Sequence, residues 1–182
     1  MRITLLVLFT AFVHAQTRVD WNALIPAIRK QLDSEPGQSE RPYSIGIREE
    51  ADVTGDGIPE ALVYLGNGGA YTDYLAVMRV VDDKPVFANF KARDARISQL
   101  GFAQGASVMH TIGVELRSPQ QAVFSFHHDL SGALPQKVVQ CGGEAYRWNR
   151  KTDVFEYDER LSKSFARTYC RQVRSGITVS RN

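Results

Sequence analysis

Residues 145–158 read AYRWNRKTDVFEYD, and this stretch decides the fold class. Two runs, Ala145–Asn149 and Asp153–Asp158, alternate apolar and polar residues. Alternation with a period of two belongs to a half-buried strand, because successive side chains point to opposite faces of a sheet. Arg150-Lys151-Thr152 lies between the runs and is short and polar, so the pair is read as an antiparallel hairpin. Tyr146 and Trp148 then pair across with Phe155 and Tyr157. Aromatic cross-strand pairs contribute about 0.5–1 kcal/mol each.

The same period recurs upstream. Tyr43–Arg48, Glu60–Gly66, Leu75–Val81, Val86–Lys91, Val108–Arg117, Gln121–His128 and Gln136–Gln140 read as strands. Glu60–Gly66 (EALVYLG) is apolar on both faces, as a strand covered on both sides would be. Asp82-Asp83-Lys84-Pro85 is turn sequence between two of the strands. His110, Ile112, Val114 and Leu116 share one face of their strand, and Ala122, Phe124, Phe126 and His128 share one face of the next.

Helical spacing occurs only near the ends. Over Asp20–Glu35, Trp21, Leu24, Ile25, Ile28 and Leu32 form one stripe. Pro26 fits a helix only in its first turn, which places the start near Ala23 or beyond. Ser34–Pro42 is loop by composition. Glu159–Val173 is read as a second helix, with Leu161, Phe165 and Tyr169 spaced by four; a strand is the alternative. Strands do not alternate with helices, which argues against a parallel sheet. The expected fold is α+β: a mainly antiparallel β-sheet with an N-terminal and a C-terminal helix.

The first residues, MRITLLVLFTAFVHAQ, have the parts of a secretory leader. Arg2 is the positive start, Ile3–Val13 is uncharged, and Val13-His14-Ala15 fits a cleavage site. A membrane span needs about 20 apolar residues, more than this run supplies. Cleavage after Ala15 leaves one domain, residues 16–182 of 182, beginning at Gln16. No cysteine follows the cut to carry a lipid, so no membrane anchor is expected and the product is secreted or periplasmic. Cys141 and Cys170 are the only cysteines, and an oxidising compartment predicts a disulfide between them. The net charge of +2, or +1 once Arg2 is removed, is too small for a whole-chain field that would draw in nucleic acid or an anionic membrane.

Chemistry concentrates in Asp52–Glu60, DVTGDGIPE. Oxygen-bearing side chains recur at Asp52, Thr54, Asp56 and Glu60, and Ile58 can offer its backbone carbonyl. Ca²⁺ is a hard cation that takes six to eight oxygen ligands, about 2.3–2.6 Å away. Gly55 and Gly57 permit the left-handed turns that such a loop needs. An EF-hand is ruled out because its twelfth position, an acidic ligand, is here Val63. The same loop can instead close on itself, with the Asp52 and Asp56 carboxylates accepting from backbone amides.

The segment resembles the Asp-x-Asn-Gly-Asp-Gly-x-x-Asp loops of FG-GAP and VCBS-type repeats, found in integrin α-chain propellers. Those loops lie between strands and bind Ca²⁺. The resemblance implies Asp52, Thr54, Asp56, Ile58 through its carbonyl, and Glu60 as ligands, with Ca²⁺ in a structural role. It covers about a dozen residues, into ALVYL. Thr54 stands where the family has Asp or Asn, Glu60 stands for Asp, and one copy is present where a propeller needs several. The resemblance therefore implies a loop and not a propeller.

Other candidates are weaker. Gly66-Asn67-Gly68-Gly69 matches no phosphate-binding pattern and reads as a glycine-rich loop. Beside it, Asn67, Tyr71 and Asp73 are candidate binding residues. His127 and His128 are adjacent on a strand and point to opposite faces, so they do not chelate one ion unless the strand ends there. Asp158 and Glu159 are neighbours that need not converge. No GxSxG, HExxH or SxxK pattern occurs. The leading reading is an exported, non-enzymatic binding or accessory domain with one structural Ca²⁺ loop and an unidentified protein or small-ligand partner. The alternatives are a metal-free inhibitor-like or ligand-binding domain and a small extracellular enzyme.

Overall fold

In the computed structural model, residues 18–33, 44–66, 72–98, 102–105 and 110–176 are described. Helix α1 spans Trp21–Asp33, and strands β1 to β4 span Ser44–Ala51, Glu60–Gly66, Thr72–Val81 and Lys84–Phe87. Strands β5 (Phe90–Lys91), β6 (Ile97–Ser98), β7 (Phe102–Gly105), β8 (His110–Arg117) and β9 (Ala122–Leu130) follow. Strands β10 (Val138–Asn149) and β11 (Val154–Tyr157) lead into helix α2 (Glu159–Arg174).

The strands form two sheets. The first runs β1-β2-β3-β4, with β7 also paired to β3; the second runs β6-β5-β11-β10-β9-β8. Every pairing is antiparallel except β5 with β11. The α+β reading with a helix at each end holds.

Three apolar clusters define four layers. Leu62, Leu75, Val77, Phe90, Val123 and Phe155 pack between the sheets. Ala61, Val63, Leu65, Ala76 and Met78 point the other way and meet Trp21, Ile28 and Leu32 of α1. On the far side, Ala122, Phe124, Phe126 and Ala145 meet Phe165 and Tyr169 of α2. The order is α1, first sheet, second sheet, α2. Covering both faces of each sheet explains why β2 and β3 are nearly continuous apolar runs, although their pairing is antiparallel. Phe124 and Phe155 are at most 1% exposed. Such burial stabilises by about 1.5–3 kcal/mol per large side chain.

Several local expectations are corrected. Helix α1 starts at Trp21, so Pro26 is its sixth residue and lies past the first turn. Anchoring overrides propensity here: Trp21 is buried and its Nε1–H donates to the Pro59 carbonyl at 3.1 Å. Asp20 accepts from the Ala23 amide through Oδ1 at 3.2 Å and through its carbonyl at 3.1 Å, tightening the first turn.

Val86–Lys91 is not one strand. The chain leaves the first sheet after Phe87 and joins the second at Phe90. The Ala88 amide still donates to Val77 in the first sheet, at 2.9 Å, while the Asn89 carbonyl accepts from Phe155 in the second, at 2.9 Å. Gln136–Gln140 and Ala145–Asn149 are not separate strands: Val138–Asn149 is one long strand, β10, and Gln136 and Lys137 precede it. Gly142 and Gly143 hide the continuity, but each is needed for close approach. A Cβ at Gly142 would lie 2.6 Å from the His127 ring, and one at Gly143 would lie 2.8 Å from the Phe165 ring.

The hairpin pairs as read, Trp148 opposite Phe155 and Tyr146 opposite Tyr157. Trp148 and Phe155 have ring centroids 4.9 Å apart. Glu159–Arg174 is helical, not a strand, and Asp158 caps it by accepting from the Leu161 amide at 2.8 Å. A Cys141–Cys170 disulfide with a Cα–Cα distance of 5.7 Å pins α2 to β10. Among the described residues no helix is long and apolar enough to cross a membrane. The leader, residues 1–15, lies outside the described residues.

Candidate functional site

The Asp52–Glu60 loop joins β1 to β2 at one end of the first sheet, and every layer but α2 holds it. Val53 is fully buried and enters the core between the sheets. Pro59 is tied to α1 through Trp21. The second sheet reaches across with Arg150, from the β10–β11 turn, which donates to the Thr54 carbonyl at 3.3 Å and to the Gly55 carbonyl. Gly55 (φ +71°) lies against the Gln121 side chain, where a Cβ has no room, and Gly57 (φ +90°) supplies a second left-handed turn.

Inside the loop the carboxylates divide their work. Asp52 accepts from the Gly55 amide at 2.6 Å and the Gly57 amide at 3.0 Å. Asp56, exposed at the tip, accepts from the Ile58 amide at 2.8 Å. Glu60 is 1% exposed. Its Oε2 accepts from the amides of Val53 at 2.8 Å and Thr54 at 3.1 Å, and its Oε1 accepts from the Thr54 hydroxyl at 3.1 Å. Arg79 Nε stands 4.0 Å from the same Oε1.

Burial pushes the Glu60 carboxyl up from its ordinary 4.5 to about 7. The two backbone amides oppose this by stabilising the anion, and the nearby Asp56 charge adds to the rise. Desolvation wins because a carboxylate cut off from water loses more than three hydrogen bonds return.

Arg79 extends the network to the second sheet. It stacks over the Trp148 ring, 4.1 Å from its centroid, and its Nη1 donates to Asp153 at 3.0 Å. Arg79 and Arg150 were missed in the sequence reading. For Arg79 a signal existed: an arginine inside the apolar run LAVMRVV demands a buried acceptor.

The donor set fits Ca²⁺ in kind, since Asp52, Asp56, Glu60, Thr54 and the Ile58 carbonyl offer only hard oxygens. An ionised carboxylate has about four acceptor positions, so the amide bonds leave positions for a cation. As the loop stands, no three carboxylate, imidazole or thiol groups among the described residues gather into a metal cage. An ion would have to draw Asp56 in from the tip.

The remaining candidates are placed as follows. Asn67 and Tyr71 lie outside the described residues, and Asp73 is described only as backbone of β3, opposite Gly66. His128 Nδ1 is 2.7 Å from the Tyr169 hydroxyl, facing α2, while the His127 ring lies against Gly142. The side chain of His110 lies outside the described residues. Asp158 is a helix cap that also pairs with Arg147 at 3.2 Å, and Glu159 pairs with Lys163 at 2.8 Å, so the two carboxylates do not converge. Along the β10–β11 hairpin runs an open groove of about 660 Å³, lined by Arg147, Trp148, Arg150, Lys151 and Tyr157 among others.

No protein-family model, curated protein or solved structure matches this chain. Its class rests on its own geometry: a disulfide-bonded α+β domain of two helix-covered sheets, with a carboxylate-rich loop built into both.

Proposed function

We propose that the chain is an exported, non-enzymatic binding or accessory domain whose Asp52–Glu60 loop takes Ca²⁺ in a structural role. One observation carries the reading. Three carboxylates share a nine-residue loop, close enough that the Asp56 charge raises the Glu60 pKa. Asp52, Thr54, Asp56, the Ile58 carbonyl and Glu60 would hold the ion, which would add positive charge to a loop of three carboxylates that has, among the described residues, only Arg79 beside Glu60. Arg150 links the loop to the hairpin groove, since it lines the groove and holds two loop carbonyls. The groove is the surface offered to a partner, and loop order sets its shape. Export is supported by the leader composition and the disulfide.

A metal-free ligand-binding or inhibitor-like domain is the second reading, and Glu60 favours it. Two amides, a hydroxyl and a nearby guanidinium already surround that carboxylate. Titrating the metal-stripped mature protein with Ca²⁺ separates the two. One site, lost in Asp56→Ala, supports the first; no uptake supports the second.

A further inference from the structure

The chain is nearly neutral, but its charge is unevenly spread. Helix α2 carries Arg160, Lys163, Arg167, Arg171 and Arg174 against a single acid, Glu159. That is a net +4 on one helix against +2 for the whole chain, so all other residues together sum to −2. At about 3.6 residues per turn, the five basic positions fall within an arc of about 80°. The buried side chains Ser162, Phe165 and Tyr169 lie on the opposite side. At about 1.5 Å per residue the basic line is about 21 Å long.

All five basic side chains are exposed. Only Lys163 has an ion-pair partner among the described residues, Glu159. A line of exposed charges along one helix face suits an extended anionic plane better than a small ligand that must be enclosed. The apolar face of α2 is committed to Phe124 and Phe126, and the Cys141–Cys170 bond keeps it there. The helix therefore has no apolar face to insert into a bilayer, and its attraction to one is electrostatic alone.

We infer that the outer face of α2 docks the domain on an anionic lipid surface, reversibly and without insertion. The choice of lipid over nucleic acid rests on the export reading; the Ca²⁺ reading plays no part. A basic residue close to an anionic bilayer strengthens binding by about fivefold, and the attraction fades within a Debye length, about 10 Å at 0.1 M salt and about 3 Å at 1 M.

The test is co-sedimentation of the mature protein with vesicles of phosphatidylglycerol and phosphatidylcholine, or of phosphatidylcholine alone. Binding is expected to the anionic vesicles at low salt, to be lost at about 1 M salt, and to be absent with neutral vesicles. Arg167→Glu with Arg171→Glu should lower partition at least tenfold, with unchanged circular dichroism. Arg18→Glu with Lys30→Glu, the same net charge change on exposed residues elsewhere, should lower it less than threefold. Equal losses in both variants, salt-resistant binding, or no anionic binding would overturn the inference. So would tighter binding to duplex DNA or to dextran sulfate than to vesicles. Failure of export is read separately, from the mass of the secreted chain, which should begin at Gln16.

Discussion

Replacing Glu60 with Gln isolates the electrostatic cost of the loop. Glutamine keeps the shape, its carbonyl can accept from the Val53 and Thr54 amides, and its amino group can donate to the Thr54 hydroxyl. Only the charge is lost. In the wild-type protein the folded-state pKa of about 7 lies above the ordinary 4.5. Between those values the folded state binds more protons than the unfolded state. Stability therefore falls as pH rises from about 4.5 through 7 and levels off above. The gap corresponds to about 3 kcal/mol, from about 1.36 kcal/mol per pH unit. For a domain of this size that is about 6–12 °C in Tm.

The assay is urea unfolding of both proteins, metal-stripped, at pH 5 and pH 8. At pH 5 the two should agree within about 1 kcal/mol. At pH 8 Glu60→Gln should be the more stable by about 3 kcal/mol, because it has no charge to bury. Other titrating groups cancel in the comparison. A difference between the two proteins that does not change with pH would refute the reasoning, as would a Glu60→Gln protein that is the less stable at pH 8.

Two further outcomes follow from the packing. Replacing Cys141 and Cys170 with Ala should cost about 3–4 kcal/mol, the loop-closure entropy for a bridge spanning 29 residues; denaturant midpoints compared without reductant give the value. Gly113→Ala should cost about 1–3 kcal/mol, because its Cβ would run into the Phe126 ring that packs under α2; thermal melts would show it, and a neutral result would mean that the ring can move aside.

The fold class was legible because burial writes a period into the chain. The Tyr146/Trp148 and Phe155/Tyr157 pairing follows from residue spacing, the Leu161/Phe165/Tyr169 spacing points to α2 while leaving a strand open, and the disulfide is expected from two cysteines behind a leader-like start. What stayed hidden depends on contacts between distant segments. Trp21 starts α1 early because it reaches Pro59, 38 residues away, and no local preference records that bond. Val86–Lys91 looks like one strand because both sheets want apolar residues there, so the crossing at Ala88-Asn89 leaves no break in the pattern. The loop oxygens were visible as DVTGDGIPE, whereas the arginines that clasp it come from β3 and the hairpin turn and have no fixed spacing to it. The basic stripe on α2 was masked in another way: whole-chain charge averages it against acids elsewhere.

The central claim is that the Asp52–Glu60 loop takes Ca²⁺, and thermal unfolding of the metal-stripped mature domain at pH 8 tests it most directly. A site filled at 100 times its Kd adds about 2.7 kcal/mol, or about 5–11 °C here. Asp56→Ala is the informative variant, because Asp56 is exposed and its one hydrogen bond within the loop, to the Ile58 amide, costs little to lose. The account predicts a rise of several degrees with about 1 mM Ca²⁺ in the wild-type protein and none in Asp56→Ala. No rise in the wild type, or an equal rise in both, would contradict it.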